Sequence, residues 1–159
     1  MSQTLTETLQ ANTRYALNVG IGNIASGTAT NGTFFDLDGF PGYRVDLSAG
    51  GTVIAQDNNS QAGLIAEGAF GNSTVTFASG AAPAQLGQPL QIRLVNLNQV
   101  DAMFPNANLE VDFDNVRLTA TAVPEPCRIA WLGMTTVVFF RFRKEFGRGK
   151  GSGGLVSHD

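Results

Sequence analysis

The fold is decided by the stretch Tyr43-Arg44-Val45-Asp46-Leu47-Ser48-Ala49-Gly50-Gly51-Thr52-Val53-Ile54-Ala55-Gln56. Its first half places apolar side chains at every second position, which is the pattern of a strand with one buried face. Its second half resumes the apolar run after Gly50-Gly51, and a two-residue hairpin turn requires both turn residues to accept a positive φ. The stretch therefore predicts a β-hairpin.

The same alternation recurs along the first 122 residues. Apolar side chains alternate with polar ones in four further stretches, at residues 14–19, 73–78, 90–94 and 109–120. A short strand is also expected near residues 33–37, and no stretch before Pro126 has the 3.6-residue period of a helix. Short strands joined by Gly- and Asn-rich turns are typical of antiparallel sandwiches. We therefore predict an all-β fold, an antiparallel β-sandwich of jelly-roll type over residues 1–122. Whether this range includes the first strand of such a sandwich or lacks it stays open.

The last predicted strand changes phase in its middle. Its apolar side chains fall on odd positions up to Phe113 and on even positions from Val116 onward. A slip of one residue would turn the second half of the strand inside out unless an extra residue is accommodated. The phase change therefore predicts a β-bulge at Asp114-Asn115.

Charge divides the chain into two unlike parts. Residues 1–126 hold four basic and eleven acidic side chains, a net charge of −7, whereas residues 127–159 hold six basic and two acidic, a net of +4. An acidic domain is a poor nucleic-acid binder, because phosphate contacts need clustered Lys or Arg. A basic tail beside an apolar run favours the cytoplasmic flank of a membrane segment. Residues 1–10 have neither the basic nor the apolar stretch of a secretory signal, so we expect either that the protein stays inside the cell or that its true start lies upstream of Met1. Cys127 alone cannot form an intrachain disulfide.

The C-terminal part resembles a known sorting signal. Val123-Pro124-Glu125-Pro126, the apolar run 129–140 and the basic residues Arg141, Arg143 and Lys144 together resemble the PEP-CTERM signal of exopolysaccharide-producing Gram-negative bacteria. The resemblance implies export, anchoring in the inner membrane, and processing by the protease-transpeptidase exosortase on the way to the cell surface or matrix. It divides the chain into a sorting and membrane-anchor segment with a short hydrophobic helix, residues 123–144, and a disordered tail, residues 145–159.

The domain before this signal resembles extracellular jelly-roll domains of the galactose-binding or carbohydrate-binding-module type. The resemblance is carried by four motifs, Tyr15–Gly20, Gly42–Leu47, Gly87–Leu94 and Phe113–Leu118. It implies a non-enzymatic protein whose domain binds extracellular polysaccharide or a partner protein. Two alternatives stay open: a glycan hydrolase or lyase on the same fold, and a structural matrix component without a ligand.

Three acidic residues are candidate ligands of a structural calcium ion. Asp36 and Asp38 lie in a predicted loop, and Asp114 lies at the predicted bulge. Ca²⁺ takes 6–8 oxygen ligands, often from loops, and a structural calcium is common in the domains that this one resembles. In the alternative, Asp114 and Asn115 bond nearby backbone at the bulge while the other carboxylates face water. No other cofactor is expected.

Aromatic residues are the candidates for ligand contact. Phe34, Phe35 and Phe40 lie in a long predicted loop, whereas Tyr15 and Tyr43 fall on inward strand positions and are expected in the core. The alternative for at least two of the phenylalanines is burial beneath the loop. No catalytic residue is expected, because the only histidine is next to the C-terminus and the acids of the domain form no recognisable pattern.

Overall fold

The computed structural model describes residues 1–124, and within them β-strands are the only regular secondary structure. The strands are β1 (Ser2–Thr8), β2 (Thr13–Asn23), β3 (Gly27–Thr28), β4 (Phe34–Phe35), β5 (Tyr43–Ala49), β6 (Thr52–Asn58), β7 (Ala69–Ala78), β8 (Pro89–Asn96) and β9 (Asp112–Ala122). The all-β prediction is confirmed. The predicted C-terminal helix and disordered tail lie outside the described residues.

Two antiparallel sheets form the sandwich. One has the strand order β1-β8-β5-β6 and the other β7-β2-β9, while β3 and β4 form a separate small hairpin. The odd-numbered side chains of β2 and β5 face each other between the sheets, as the alternation predicts. The core consists of Leu9, Tyr15, Leu17, Val19, Ile21, Tyr43, Val45, Leu47, Ala49, Val75, Leu90, Ile92, Leu94 and Val111. Full burial of one large apolar side chain stabilises the fold by about 1.5–3 kcal/mol.

The deciding stretch forms the predicted hairpin. β5 and β6 pair antiparallel and close with Ala49 opposite Thr52. The two turn residues have positive φ values, 56° at Gly50 and 80° at Gly51. The backbone N–H of Gly50 also donates to the carbonyl of Pro89, at 3.0 Å. The turn is therefore tied to the neighbouring strand β8 as well as to its own hairpin.

The predicted β-bulge is also confirmed. Asn18 pairs with Arg117 and Gly20 pairs with Asp114, so two residues of β9 lie opposite a single residue of β2. Asn115 adopts a φ of 50°, and its backbone N–H donates to Oδ1 of Asp114 at 2.6 Å. The extra residue restores the inward orientation of the second half of β9.

One end of the sandwich carries three long loops, 24–42, 59–68 and 97–111, and we call it the loop end. β2, β6 and β8 run towards it, and β5, β7 and β9 start from it, so the three loops converge there. Backbone hydrogen bonds join the first and third loops, from Gln99 to Pro41 at 2.9 Å and from Asn108 to Asp36 at 2.7 Å. The opposite end has shorter connections.

One strand differs from the sequence-based expectations. β1 occupies Ser2–Thr8, a stretch for which the sequence analysis predicted no strand. Residues 1–124 include no helix long and apolar enough to cross a membrane. Val123 closes the paired region by donating its N–H to the carbonyl of Asn12 at 2.7 Å. The remaining sorting-motif residues, Glu125 and Pro126, and the basic residues Arg141, Arg143 and Lys144 lie outside the described part of the chain.

Candidate active site

The loop end concentrates exposed apolar side chains. Those with large exposed area are Phe34, Phe35, Leu64, Phe70, Val100, Met103 and Phe104. All seven belong to the three loops or lie at the start of the strand that follows one of them, so the exposed apolar side chains are concentrated at one end of the sandwich. The loop end is therefore the candidate ligand-binding region of the sandwich.

A pocket of about 340 Å³ opens at the loop end. A volume of roughly 300–1,000 Å³ suits a small molecule. Its lining consists of Ala25, Gly27, Thr28, Ala29, Phe35, Leu37 and Glu110. Glu110 is the only titratable side chain in this lining, and the other groups are apolar or neutral. The pocket thus combines an apolar surface with a single carboxylate.

The β3–β4 hairpin shapes one wall of this pocket. Gly27 pairs with Phe35, and Thr28 pairs with Phe34. Because successive side chains of a strand point to opposite faces, Phe35 lines the pocket and Phe34 points away from it. Phe35 is 44% exposed and Phe34 is 63% exposed. The pocket therefore presents one accessible aromatic ring to a ligand.

Ser26 fixes the base of the hairpin. Its hydroxyl donates to Oδ1 of Asp38 at 2.6 Å and accepts the backbone N–H of Leu37 at 2.8 Å. Its own N–H donates to Oε1 of Glu67, in the second loop, at 3.2 Å. These bonds connect two loops and hold Leu37 at the pocket wall.

Glu110 is held in place by its neighbours on both sides. The carbonyl of Leu109 accepts a hydrogen bond from Nδ2 of Asn96 at 2.8 Å. Val111 is buried in the core, and β9 begins at Asp112. The backbone at Glu110 is therefore anchored while its side chain stays at the pocket. A carboxyl group placed in this way can donate or accept a proton.

A hydrogen-bonded network lies beneath the loop end, at the end of β6. The carboxylate of Asp57 accepts bonds from the hydroxyls of Ser73 at 2.5 Å, Tyr43 at 2.6 Å and Ser60 at 2.9 Å. Burial alone would raise the pKa of Asp57, but these bonds outweigh burial and lower it. Burial and the bond to Asp57 raise the pKa of Tyr43. Asp57 therefore stays ionised, and its hydrogen bonds join β5, β7 and the second loop to β6.

The structure does not gather the three candidate calcium ligands. Oδ1 of Asp36 accepts the N–H of Asp38 at 3.3 Å, Asp38 accepts the hydroxyl of Ser26, and Asp114 accepts the N–H of Asn115. Within residues 1–124, no group of three or more His, Cys, Asp or Glu side chains is placed to hold a metal ion. The alternative left open by the sequence therefore describes Asp114, which bonds backbone at the bulge, whereas Asp36 and Asp38 accept hydrogen bonds within their loop.

The candidate aromatic residues take different positions. Phe40 is partly buried and packs on Tyr43 in an edge-to-face contact, with ring centroids 6.2 Å apart. Since Phe34 and Phe35 are exposed, the alternative in which at least two phenylalanines are buried beneath the loop is wrong. Tyr15 is in the core, and its hydroxyl accepts the N–H of Gln10 at 2.8 Å. Tyr43 is buried as expected.

Sequence reasoning missed Glu110. The pocket draws on residues more than 80 positions apart along the chain, Ala25 and Glu110, and no local spacing pattern reports such a meeting. The one available signal was position, since Glu110 directly precedes the last strand at the end of a long loop. Binding and catalytic residues often lie in loops that a rigid sheet holds in place.

A second, smaller cleft of about 240 Å³ opens along the edge of the sandwich, between β1 and β9. Its lining consists of Leu5, Glu7, Tyr15, Leu90, Leu118 and Ala120. Like the loop-end pocket it holds one carboxylate, but its only aromatic residue is the buried Tyr15. Because it also holds one carboxylate, the edge cleft provides a control for substitutions in the loop-end pocket.

Comparison with known proteins identifies the family. The model of a family described as HpiC1-like, HpiC1 cyclase, matches residues 1–119. A cyclase from Fischerella sp. TAU is 47% identical, with a TM-score of 0.64, over 78% of this chain and 56% of its own. The same source gives a Stig cyclase, Fisc, solved with (3Z)-3-(1-methyl-2-pyrrolidinylidene)-3H-indole, at 46% identity, a TM-score of 0.64, and coverage of 77% and 56%.

A further cyclase structure from Fischerella sp. TAU holds 4-(1H-indol-3-yl)butan-2-one. It is 46% identical, with a TM-score of 0.65, over 78% of this chain and 57% of its own. The chain thus spans little more than half the length of the structures it matches. No curated protein is similar enough to count as a match.

These similarities correct several expectations from the sequence. The resemblance to PEP-CTERM sorting proteins and the exosortase partner are wrong, because the matches are to cyclases over residues 1–119. The non-enzymatic, polysaccharide-binding function is wrong for the same reason, since the family is one of enzymes that act on small molecules. The jelly-roll resemblance was correct for the fold and misleading for the function. The chain belongs to the HpiC1-like cyclase family.

Proposed function

We propose that the loop-end pocket binds an apolar, aromatic small molecule of the indole class and promotes its cyclisation. The observation that carries this proposal is the pairing of the accessible ring of Phe35 with the single carboxylate of Glu110 in one apolar pocket. Two solved relatives hold indole-bearing ligands, which supports this substrate class. The chain spans only 56% of the length of the first matched cyclase. For this reason the cyclase activity of the relatives is a proposal for this chain.

In this proposal the pocket wall binds and shields the substrate. The ring of Phe35 offers a face on which an indole can stack, and such aromatic pairs add about 0.5–1.5 kcal/mol beyond the burial of apolar area. Leu37 extends the apolar wall on which the substrate skeleton lies. The bound substrate is thereby held in a folded conformation that brings its reacting carbons together.

Glu110 supplies the proton chemistry. As a carboxylic acid it donates a proton to an electron-rich carbon of the substrate, which makes a neighbouring carbon cationic and open to attack by a second carbon. When the ring has closed, the resulting cation loses a proton and the carboxylate accepts it. The proton count of the enzyme is thus restored, and general acid–base help of this kind contributes about 10²–10⁴-fold.

The test of this function is a pair of matched glutamate variants. The full chain is incubated with a panel of indoles that carry unsaturated side chains, and ring formation is followed by chromatography and NMR. We expect Glu110→Gln to lower turnover at least about 10²-fold while it still binds the same indoles. Glu7→Gln, which changes the single carboxylate of the edge cleft, should leave turnover unchanged.

Two results would contradict the proposal. Turnover by Glu110→Gln at the wild-type rate would remove Glu110 from the reaction. A wild-type chain that binds none of the indoles in the panel would remove the loop-end pocket as a substrate site.

A further inference from the structure

A cluster of two arginines and one aspartate lies on the outer face of the β1-β8-β5-β6 sheet. Asp46 alternates with the core residues Val45 and Leu47, so its side chain points away from the core. Oδ1 of Asp46 accepts a bond from Nε of Arg44 at 3.0 Å, and Oδ2 accepts one from Nε of Arg93 at 2.8 Å. The strand register places Arg93 directly opposite Asp46.

The charges of this cluster do not cancel. Asp46 is fully buried beneath the two guanidinium groups, and a buried carboxylate needs such partners. One partner would neutralise it, but two are present, which leaves a net charge of +1. The described residues 1–124 contain only four arginines, so half of their cationic side chains meet at this one point.

The arginines use only part of their donor capacity. A guanidinium group has five N–H donors in a fixed fork. Within residues 1–124, each of the two makes its hydrogen bond through Nε alone, to Asp46. The side chains of Arg44 and Arg93 remain 29% and 46% exposed. Their terminal amino groups are therefore presented outward, and the Nε bonds fix the direction in which they point.

The strand partners of the cluster on this face are uncharged, and one of them, Val95 opposite Arg44, is apolar. Gln56 lies opposite Asp46 on β6, and Asn58 lies opposite Arg44. On β8, Gln91 lies opposite Ser48. None of these pairing partners is acidic, so an anion that approaches the two guanidinium groups meets amide donors and no second carboxylate.

We propose that this cluster is a binding site for an oxyanion, carried by a small molecule as a carboxylate or phosphate group. The terminal amino groups of Arg44 and Arg93 donate to the oxygens of the anion, in the fork geometry that suits both groups. Asp46 positions the two guanidinium groups and does not touch the ligand. The site shares no residue with the loop-end pocket and does not depend on the proposed function.

The test is an NMR titration of the full chain with sodium phosphate and, separately, with sodium acetate. Sodium chloride keeps the ionic strength constant, because exposed electrostatic binding weakens with salt. We expect saturable shifts of the Nε–H signals of Arg44 and Arg93 with at least one of the two anions. The anion that saturates first tells a phosphate site from a carboxylate site.

Variants separate a site from an ordinary surface ion pair. Arg93→Gln should weaken the saturable binding about tenfold or more, as expected when a charge-assisted hydrogen bond is lost. Arg117→Gln, an exposed arginine on β9, should leave it unchanged. If Arg93→Gln does not fold, Arg44→Gln decides, because it removes the other guanidinium group and should also weaken binding about tenfold or more.

Three results would overturn the proposal. The first is the absence of saturable shifts with both anions. The second is equal binding by wild type and a folded Arg93→Gln variant. The third is equal binding by wild type and a folded Arg44→Gln variant.

Discussion

At the scale of single residues, the clearest electrostatic device is the Asp57 network beneath the loop end. Three hydroxyl groups donate to one carboxylate, and the pKa of Asp57 is lower in the folded protein than its ordinary value. A lowered folded pKa means that the stabilisation is present above the unfolded pKa of about 3.9 and is lost as the pH falls through the folded value. The network should therefore weaken in acid and not near neutral pH.

Tyr43→Phe tests this network. It removes the hydroxyl that donates to Asp57 at 2.6 Å. We expect a loss of about 1.5–3 kcal/mol in the free energy of unfolding at neutral pH, the usual value for a hydrogen bond to a charged group. Since one stabilising bond is lost, the folded pKa of Asp57 should rise and the acid-dependent loss of stability should become smaller. Urea denaturation from pH 2 to pH 7 measures both effects.

Tyr15→Phe is the matched control. It removes another core tyrosine hydroxyl, which accepts a bond from the uncharged N–H of Gln10. Its cost should be about 1 kcal/mol, with no change in the acid dependence. An identical acid dependence in Tyr43→Phe and wild type would show that Tyr43 does not stabilise the ionised form of Asp57.

At the scale of elements, the β5–β6 hairpin depends on its two glycines. Gly51 has a φ of 80° and open space around its Cα, so a side chain there meets no neighbour and only the backbone conformation is strained. Gly51→Ala should therefore lower the free energy of unfolding by about 1–2 kcal/mol. Gly51→Asn should cost less, because Asn tolerates the left-handed region. Urea denaturation compares the two.

Gly27→Ala is the control for this pair. Gly27 also has open space, but its φ is not positive, so an added Cβ carries no backbone strain. Its free energy of unfolding should stay within about 0.5 kcal/mol of wild type, as for ordinary surface changes. Equal effects of Gly51→Ala and Gly51→Asn would contradict the conformational account of the turn.

Elements with a period-two pattern were the predictable part of the fold. The hairpin and the bulge at Asn115 followed from alternation, because alternation reports directly which face of a strand is buried. β1 was not predicted as a full strand, since Leu5 is the only apolar residue in Ser2–Thr8. Edge strands with little buried surface leave a weak pattern, and their pairing with β8 depends on a distant part of the chain.

The candidate site was only partly predictable. Phe35 was identified as a ligand-contact residue from its place in a long loop, but its partner Glu110 comes from another loop. The sequence pattern carries no distances, so it could not show that the two line one pocket. The functional error has a different origin. One β-sandwich architecture hosts many functions, and motifs that describe its strands do not specify its ligand.

At the scale of the whole molecule, two surfaces of one sandwich have different chemistry. The loop end presents exposed apolar side chains and the pocket of Phe35 and Glu110. The outer face of the β1-β8-β5-β6 sheet presents polar side chains and the cluster around Asp46. The two surfaces share no residue. Substitutions in one surface should therefore change the free energy of unfolding nearly independently of substitutions in the other.

The central claim is that an indole-bearing molecule binds at the loop end. The most direct measurement is an NMR titration of the full chain with 4-(1H-indol-3-yl)butan-2-one, combined with Phe35→Ala and Phe34→Ala. We predict saturable shifts at Phe35, Leu37 and Glu110, an affinity about tenfold or more lower in Phe35→Ala, and little change in Phe34→Ala. Shifts confined to the edge cleft at Leu5 and Leu118, or no saturable binding, would contradict the claim.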